Sequence, residues 1–197
     1  MCIRWRIVIS EHNIINMIDK DMKTMKQLLL AVMMMMTASL QAQQAEEGDL
    51  DAKYATELVK VGSVAPDFTM QTIDGKPFTL SELKGRVVVL DFWASWCPDC
   101  RKEAPAVVEL YKKYSDKGVA FVGVSMDTNV EAWRAACEKY GITYPQVSEL
   151  KKFHDTDISK AYGVKWIPSI VVIDQDGKVA LATVVTERLA TYLEALR

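Results

Sequence analysis

The segment Leu90-Asp91-Phe92-Trp93-Ala94-Ser95-Trp96-Cys97-Pro98-Asp99-Cys100 decides the fold. It begins inside a strand predicted over 86–93, where four consecutive apolar residues are typical of a strand covered on both faces. A helix is predicted over 98–114, because proline is tolerated in the first helical turn. The two cysteines therefore lie at the junction between a buried central strand and a helix.

This junction has a chemical consequence for Cys97. Unpaired N–H groups and the helix dipole at a helix N-terminus favour an anion, so the Cys97 thiolate is expected to be stabilised. Its pKa should fall from the ~8.5 of a free thiol toward neutrality, which would make it an accessible nucleophile. Cys100, one turn later, is expected to be more shielded and to resolve a mixed disulfide. The alternative is an inert structural disulfide, but so short a loop would stabilise the fold poorly.

Outward from this segment, the chain alternates predicted strands and helices. The predictions are a hairpin at 64–79 around Asp74-Gly75, a helical turn at 81–84, a buried strand at 119–126, helices at 130–140 and 158–162, a hairpin of 169–174 with 178–185, and a helix at 186–196. This order predicts an α/β fold with a central mixed β-sheet flanked by helices and an N-terminal β-hairpin extension.

The segment 90–100 resembles the active-site segment of the thioredoxin superfamily. Pro105, five residues after Cys100, also matches thioredoxins. The wider pattern is similar to the TlpA/ResA-like branch and its AhpC/TSA-redoxin-like domain. It comprises Ala65-Pro66-Asp67-Phe68, Asp74-Gly75-Lys76, 80–85, Trp166-Ile167-Pro168-Ser169 and Ile173-Asp174. The resemblance covers residues 61–196. It implies a thioredoxin-like fold and a thiol-disulfide oxidoreductase of the protein-disulfide reductase type, acting on protein disulfide substrates.

The resemblance also implies roles for single residues. Pro168 corresponds to a cis proline that lies against the cysteine pair, and Ile167 and Trp166 would then contact the substrate backbone. Asp91 matches the buried acid of thioredoxins. Its burial should raise its pKa, so that it can take a proton from Cys100, unless the side chain reaches solvent at the strand end. The lysine that accompanies this acid in thioredoxins falls at Gly123 here.

The residues around the pair are expected to support the active site. Trp96 and Trp93 would either shield the sulfurs or support the core. Pro98 and Asp99 separate the cysteines, and Asp99 opposes thiolate formation while favouring the helix start. Cys137 is predicted to be a buried structural thiol, and Glu103 an exposed helix residue. Four residues are thus expected to support the active site: Trp96, Pro98, Asp99 and Pro168.

The composition limits cofactors and partners. With 50% hydrophobic and 25% charged residues and a net charge of −2, the chain offers no basic stripe for nucleic acid. We expect no cofactor beyond the Cys97–Cys100 disulfide or dithiol and no metal, a monomer, and a membrane-embedded electron donor. The alternative is a copper-binding or copper-delivery module of thioredoxin-like fold, with His154 as the candidate ligand.

The N-terminus has the order of a secretory signal. A positive start from Met22 precedes the apolar segment 28–40 and the small residue Ala42. The apolar segment is shorter than the ~20 residues of a membrane-spanning helix. The predicted organisation is residues 1–21 unassigned and consistent with an overextended start, 22–42 a signal peptide, 43–60 a flexible leader, and 61–197 the thioredoxin-like domain. The protein is accordingly expected to be exported to a periplasm and soluble after cleavage.

Overall fold

The computed structural model describes residues 22, 25–27, 34 and 50–196. The chain divides into two units, 1–46 and 47–197, and the described residues of the first are helical. The predictions for 1–21, for most of 22–42 and for 43–49 lie outside the described residues. Within the described residues, no helix combines the length and apolar character needed to cross a membrane.

The second unit is built on a mixed sheet whose order is β2-β1-β5-β4-β3-β6-β7. Strand β3 pairs in parallel with β4, and β4 with β5, whereas the other neighbouring pairs are antiparallel. The central strands β3 and β4 are buried along their whole length, as their apolar runs predict. The strands are β1 Thr69–Thr72, β2 Pro77–Thr79, β3 Val88–Trp93, β4 Ala120–Ser125, β5 Gln146–Ser148, β6 Ser169–Ile173 and β7 Val179–Thr183.

Four α-helices of the described domain follow the predicted order. They are α1 Pro98–Tyr114, α2 Val130–Tyr140, α3 Asp157–Ala161 and α4 Thr186–Ala195, with 3-10 turns at Leu80–Leu83, Ser115–Lys117 and Phe153–Asp155. Helix α2 begins where the Asn129 side chain accepts a hydrogen bond from the Ala132 amide, and ends at Gly141 in the left-handed conformation. The thioredoxin-like fold class predicted from the sequence is confirmed.

Strand β5 was not predicted, and it changes how the N-terminal hairpin is attached. Its three residues pair in parallel with β4 and in antiparallel with β1. The predicted hairpin is present as β1 and β2, but β5 joins it edge to edge to the central sheet. The hairpin is therefore a continuation of the main sheet.

Residues 50–60, the described part of the predicted leader, contact the domain. Residues 50–54 are helical, and the Val59 amide donates a hydrogen bond of 3.0 Å to the Tyr162 carbonyl. Gly163 has a φ of +66°, and a Cβ atom there would overlap the carbonyl oxygen of Glu57. Only glycine allows this segment to approach so closely.

Candidate active site

The cysteine pair lies at the start of α1. Cys97 is the N-cap residue and Pro98 is the first residue of the helix. Cys97 and Cys100 form a disulfide with their Cα atoms 5.3 Å apart. The Cys100 amide donates a hydrogen bond of 3.1 Å to the Cys97 sulfur. The sulfur thus occupies the position where the first helical turn offers an N–H group to an anion.

Both cysteines are buried, with exposed fractions of 4% for Cys97 and 3% for Cys100. The expectation that Cys97 is clearly the more accessible of the two is therefore not met in the disulfide form. The loop before β6 covers the Cys97 sulfur, which lies 3.6 Å from the Ile167 carbonyl oxygen. The residues around the disulfide are more open; Trp96 is 53% and Trp166 is 40% exposed, and Pro98 and Asp99 are exposed as well.

The loop before β6 brings the predicted substrate-contacting residues beside the pair. The Ile167–Pro168 peptide bond is cis. Ile167 is buried, and Pro168 lines a small cavity together with Cys100. Trp166 stacks on Tyr54, whose ring centroid is 4.4 Å away. The contact to Tyr54 was not foreseen, since nothing in the polar segment around that residue indicates which surface it meets.

Asp91 is buried in the middle of β3, with 5% of the residue exposed, so it does not reach solvent at the strand end. Burial raises the pKa of its carboxyl to about 6, although a hydrogen bond from Tyr144 opposes the rise. Asp91, Cys100 and Glu103 line the same cavity of about 10 Å³. Asp91, the acid predicted to accept the Cys100 proton, therefore lines the same cavity as Cys100.

The raised pKa of Asp91 makes the stability of the protein pH-dependent. As pH rises from well below 4 to above 6, the unfolded chain ionises at Asp91 before the folded protein does, which costs about 3 kcal/mol of stability in total. Asp91→Asn cannot ionise. We expect its free energy of unfolding, relative to the wild type, to increase by about 2.5 kcal/mol between pH 4 and pH 7, as measured by urea denaturation.

The matched control for this prediction is Asp116→Asn, which removes an exposed carboxyl from the 3-10 turn after α1. It should leave the pH dependence of stability close to that of the wild type. If the free energies of unfolding of Asp91→Asn and the wild type differ by the same amount at every pH in this range, Asp91 ionises alike in the folded and unfolded states.

At the position where thioredoxins carry a lysine, the space is filled by Gln146. Gly123 pairs with Gln146 across β4 and β5, and a Cβ atom at Gly123 would overlap the Gln146 amide group. The Gln146 amide oxygen accepts hydrogen bonds from the indoles of Trp93, at 2.9 Å, and Trp133, at 3.4 Å. Trp93 therefore belongs to the core, whereas Trp96 lies on the surface beside the disulfide.

Asp127 is a site residue that the sequence analysis missed. Its carboxylate accepts hydrogen bonds from the Ser95 amide, at 2.9 Å, and from the Ser95 hydroxyl, at 2.6 Å. A third comes from the Ser125 hydroxyl, at 2.8 Å. Because parallel strands β3 and β4 end at the same edge of the sheet, an acid just after β4 can reach the loop just after β3. The position of Asp127 just after β4 is the sequence signal from which this contact could have been predicted.

Two further predictions can be compared with the structure. Cys137 is buried, as predicted, and burial raises the pKa of its thiol to about 12. The prediction that Glu103 is simply exposed is wrong, since it is half-buried and lines the Asp91 cavity. His154, the candidate copper ligand, is exposed and stacks on Phe153. The described residues hold no cluster of three or more His, Cys, Asp or Glu side chains placed for a metal.

The comparison with known families agrees with this geometry, since the family model described as Redoxin matches residues 60–196. The chain belongs to the redoxin family. The match covers nearly the whole second unit and begins one residue before the predicted domain boundary.

Curated relatives of this redoxin are named as thiol-disulfide oxidoreductases. The thiol-disulfide oxidoreductase ResA of Bacillus thuringiensis strain Al Hakam is 34% identical over 143 residues, which cover 71% of this chain and 80% of the relative. ResA of Bacillus subtilis strain 168 is 35% identical over 123 residues, covering 62% and 66%. The resemblance to the ResA-like branch is thereby confirmed.

Solved structures place this redoxin in the same group. The thioredoxin domain of a thiol-disulfide oxidoreductase from Bacteroides vulgatus has 33% identity and a TM-score of 0.63, covering 69% of this chain and 96% of that one. A thiol-disulfide oxidoreductase from Bacteroides fragilis has 27% identity and a TM-score of 0.64, covering 68% and 100%. With its Cys97–Cys100 pair, this redoxin is a thiol-disulfide oxidoreductase.

Proposed function

We propose that this redoxin is exported and reduces disulfides of extracytoplasmic proteins through Cys97 and Cys100. Export is supported by the signal-like pattern of residues 22–42. The family resemblance favours the reducing direction, with the apoprotein of a cytochrome c among the substrates. The protein acts as a monomer and is recharged by a dithiol donor in the membrane.

The first step of the reaction is the attack of the Cys97 thiolate on a substrate disulfide. A bond forms between the Cys97 sulfur and one substrate sulfur, and the other substrate sulfur leaves as a thiolate. The Cys100 amide, which already lies 3.1 Å from the Cys97 sulfur, donates to the nucleophile before the attack. An extended substrate backbone can lie beside Ile167 and the exposed ring of Trp166.

The second step resolves the mixed disulfide. The Asp91 carboxylate takes the proton of Cys100, and the resulting thiolate attacks the Cys97 sulfur. The substrate leaves as a second thiolate and the Cys97–Cys100 disulfide forms, so the substrate gains two electrons and the pair loses two. The donor dithiol then returns two electrons and two protons to the pair.

One observation carries this proposal: the Cys97 sulfur sits at the N-terminus of α1 and at the same time beside the Ile167 carbonyl. A disulfide with a purely structural role needs neither an amide directed at one sulfur nor exposed aromatic side chains around it. Both features are what a mixed disulfide with a peptide requires.

The proposal is tested by trapping substrates with Cys100→Ser in cells that produce the protein with its own N-terminus. This variant can form the mixed disulfide but cannot resolve it. We expect adducts that disappear on treatment with a reductant and that contain exported proteins, identified by mass spectrometry.

The matched control is the double variant Cys97→Ser with Cys100→Ser, which should give no adducts because the attacking sulfur is gone. Adducts that consist only of cytoplasmic proteins would contradict export. Equal adducts from the single and the double variant would contradict the assignment of Cys97 as the nucleophile.

A further inference from the structure

We propose that Tyr144 is a positioning residue of the reductase, whose hydroxyl holds the Asp91 carboxylate in the state that takes the Cys100 proton. This inference rests on the proposed function. It gives the neutral phenol of Tyr144 the role of the polar group that accompanies the buried acid Asp91, a place that a lysine occupies in thioredoxins. Neither the motif around the cysteines nor the comparisons point to this residue.

The contact is direct, and two aromatic rings hold the Tyr144 ring in place. The Tyr144 hydroxyl donates a hydrogen bond of 2.8 Å to the Asp91 carboxylate, and both residues are buried. Tyr144 lies two residues before β5, and its ring packs between Tyr111 and Phe121 at centroid distances of 5.2 and 6.0 Å. The ring cannot swing away without opening this aromatic cluster, so the donor stays on the carboxylate.

The charged and titratable groups near Asp91 explain why the phenol matters. On α1, Cys100 and Glu103 line the cavity next to Asp91, and on α2 the Cys137 thiol is close enough to act on Tyr144 electrostatically. No lysine, arginine or histidine is among the described residues that line the cavity. A hydrogen-bond donor is therefore what favours the charged form of the acid here.

The phenol donates without losing its own proton. Burial, followed by the negative charge of Asp91, raises the pKa of Tyr144 well above its ordinary value. The proton that moves in the resolving step is therefore that of Cys100, which passes to Asp91 and later to solvent. Tyr144 sets how readily Asp91 is available as the carboxylate at neutral pH.

The test is Tyr144→Phe, which keeps the ring and removes the hydroxyl. In the oxidised protein, the carboxyl carbon of Asp91 is followed by NMR as a function of pH, with Asp91→Asn used to assign the signal. Loss of the donor should shift the titration midpoint upward by about one pH unit. The pH profile of disulfide reduction should shift in the same direction.

The matched control is Tyr111→Phe, which removes a hydroxyl from the neighbouring ring of the same cluster and should leave the midpoint in place. In the Asp91→Asn background, Tyr144→Phe should not shift the pH profile any further. If Tyr144→Phe fails to fold, 3-fluorotyrosine at position 144 keeps the ring and strengthens the donor. It should move the midpoint downward.

An unchanged midpoint in Tyr144→Phe, or in the fluorinated protein, overturns the inference even if the wild type reduces disulfides. Loss of the proposed function would look different, because the wild type itself would then fail to reduce a model disulfide. The two failures are thus distinguished by the wild-type measurement and the NMR titration.

Discussion

Replacing Cys97 with serine is expected to abolish disulfide reduction, leaving only the uncatalysed exchange. The serine hydroxyl is not ionised at neutral pH and cannot form a disulfide with the substrate, whatever the helix N-terminus offers it. The measurement is the reduction of a model protein disulfide by the purified protein with a dithiol supplied as electron source. We expect a loss of at least about 10³-fold, of the order seen when an enzyme loses its nucleophile.

The matched control is Cys137→Ser, which removes a thiol that lies buried in α2. Because burial raises the pKa of Cys137 to about 12, this thiol is almost fully protonated at neutral pH and should not take part in exchange. The rate of the folded Cys137→Ser protein should stay within about twofold of the wild type. Comparable residual activity in Cys97→Ser would exclude Cys97 as the attacking sulfur.

Replacing Asp127 with alanine is expected to have the largest effect on stability among the substitutions considered. It would leave the Ser95 amide and hydroxyl, and the Ser125 hydroxyl, without their shared acceptor. Hydrogen bonds to a charged group are worth about 1.5–3 kcal/mol each, but Ser95 is only half-buried and water can replace part of what its two donors lose, so we expect a total loss of about 3 kcal/mol. Urea denaturation at neutral pH measures it.

The same variant should also slow disulfide reduction, because Ser95 lies two residues before Cys97 and its position fixes the approach of the chain to α1. Asp127→Asn, which keeps one acceptor oxygen, should lose less stability than the alanine variant. Asp116→Ala, at an exposed position, serves as the control for removing a carboxylate. Equal losses in Asp127→Ala and Asp116→Ala would show that the three hydrogen bonds contribute nothing measurable.

The elements around the cysteine pair could be predicted because local signals agree there. The apolar run before Asp91 indicates a buried strand, and Pro98 indicates the helix start, so α1 has the predicted bounds. Helix α2 also has the predicted bounds, since its apolar residues follow helical spacing and Gly141 ends it. In these places sequence neighbours make the contacts that determine the structure.

The parts that could not be predicted depend on residues far apart in the chain. Strand β5 has three residues, too few for a periodic signal, and is stabilised by pairing with β1 and β4. The bonds from Tyr144 to Asp91 and from Asp127 to Ser95 each join elements that meet only after the sheet has formed. Composition and spacing contain no information on such pairs.

The close approach of Glu57 to Gly163 bears on how the domain should be produced in the laboratory. The family match begins at residue 60, so a recombinant protein designed from it would lack the chain that Gly163 accommodates and the amide of Val59. Such a truncated protein would expose the underside of Trp166 next to the disulfide. A recombinant protein for kinetic and crystallographic work should therefore begin no later than residue 50. A shorter protein would present a surface beside the disulfide that the longer chain covers.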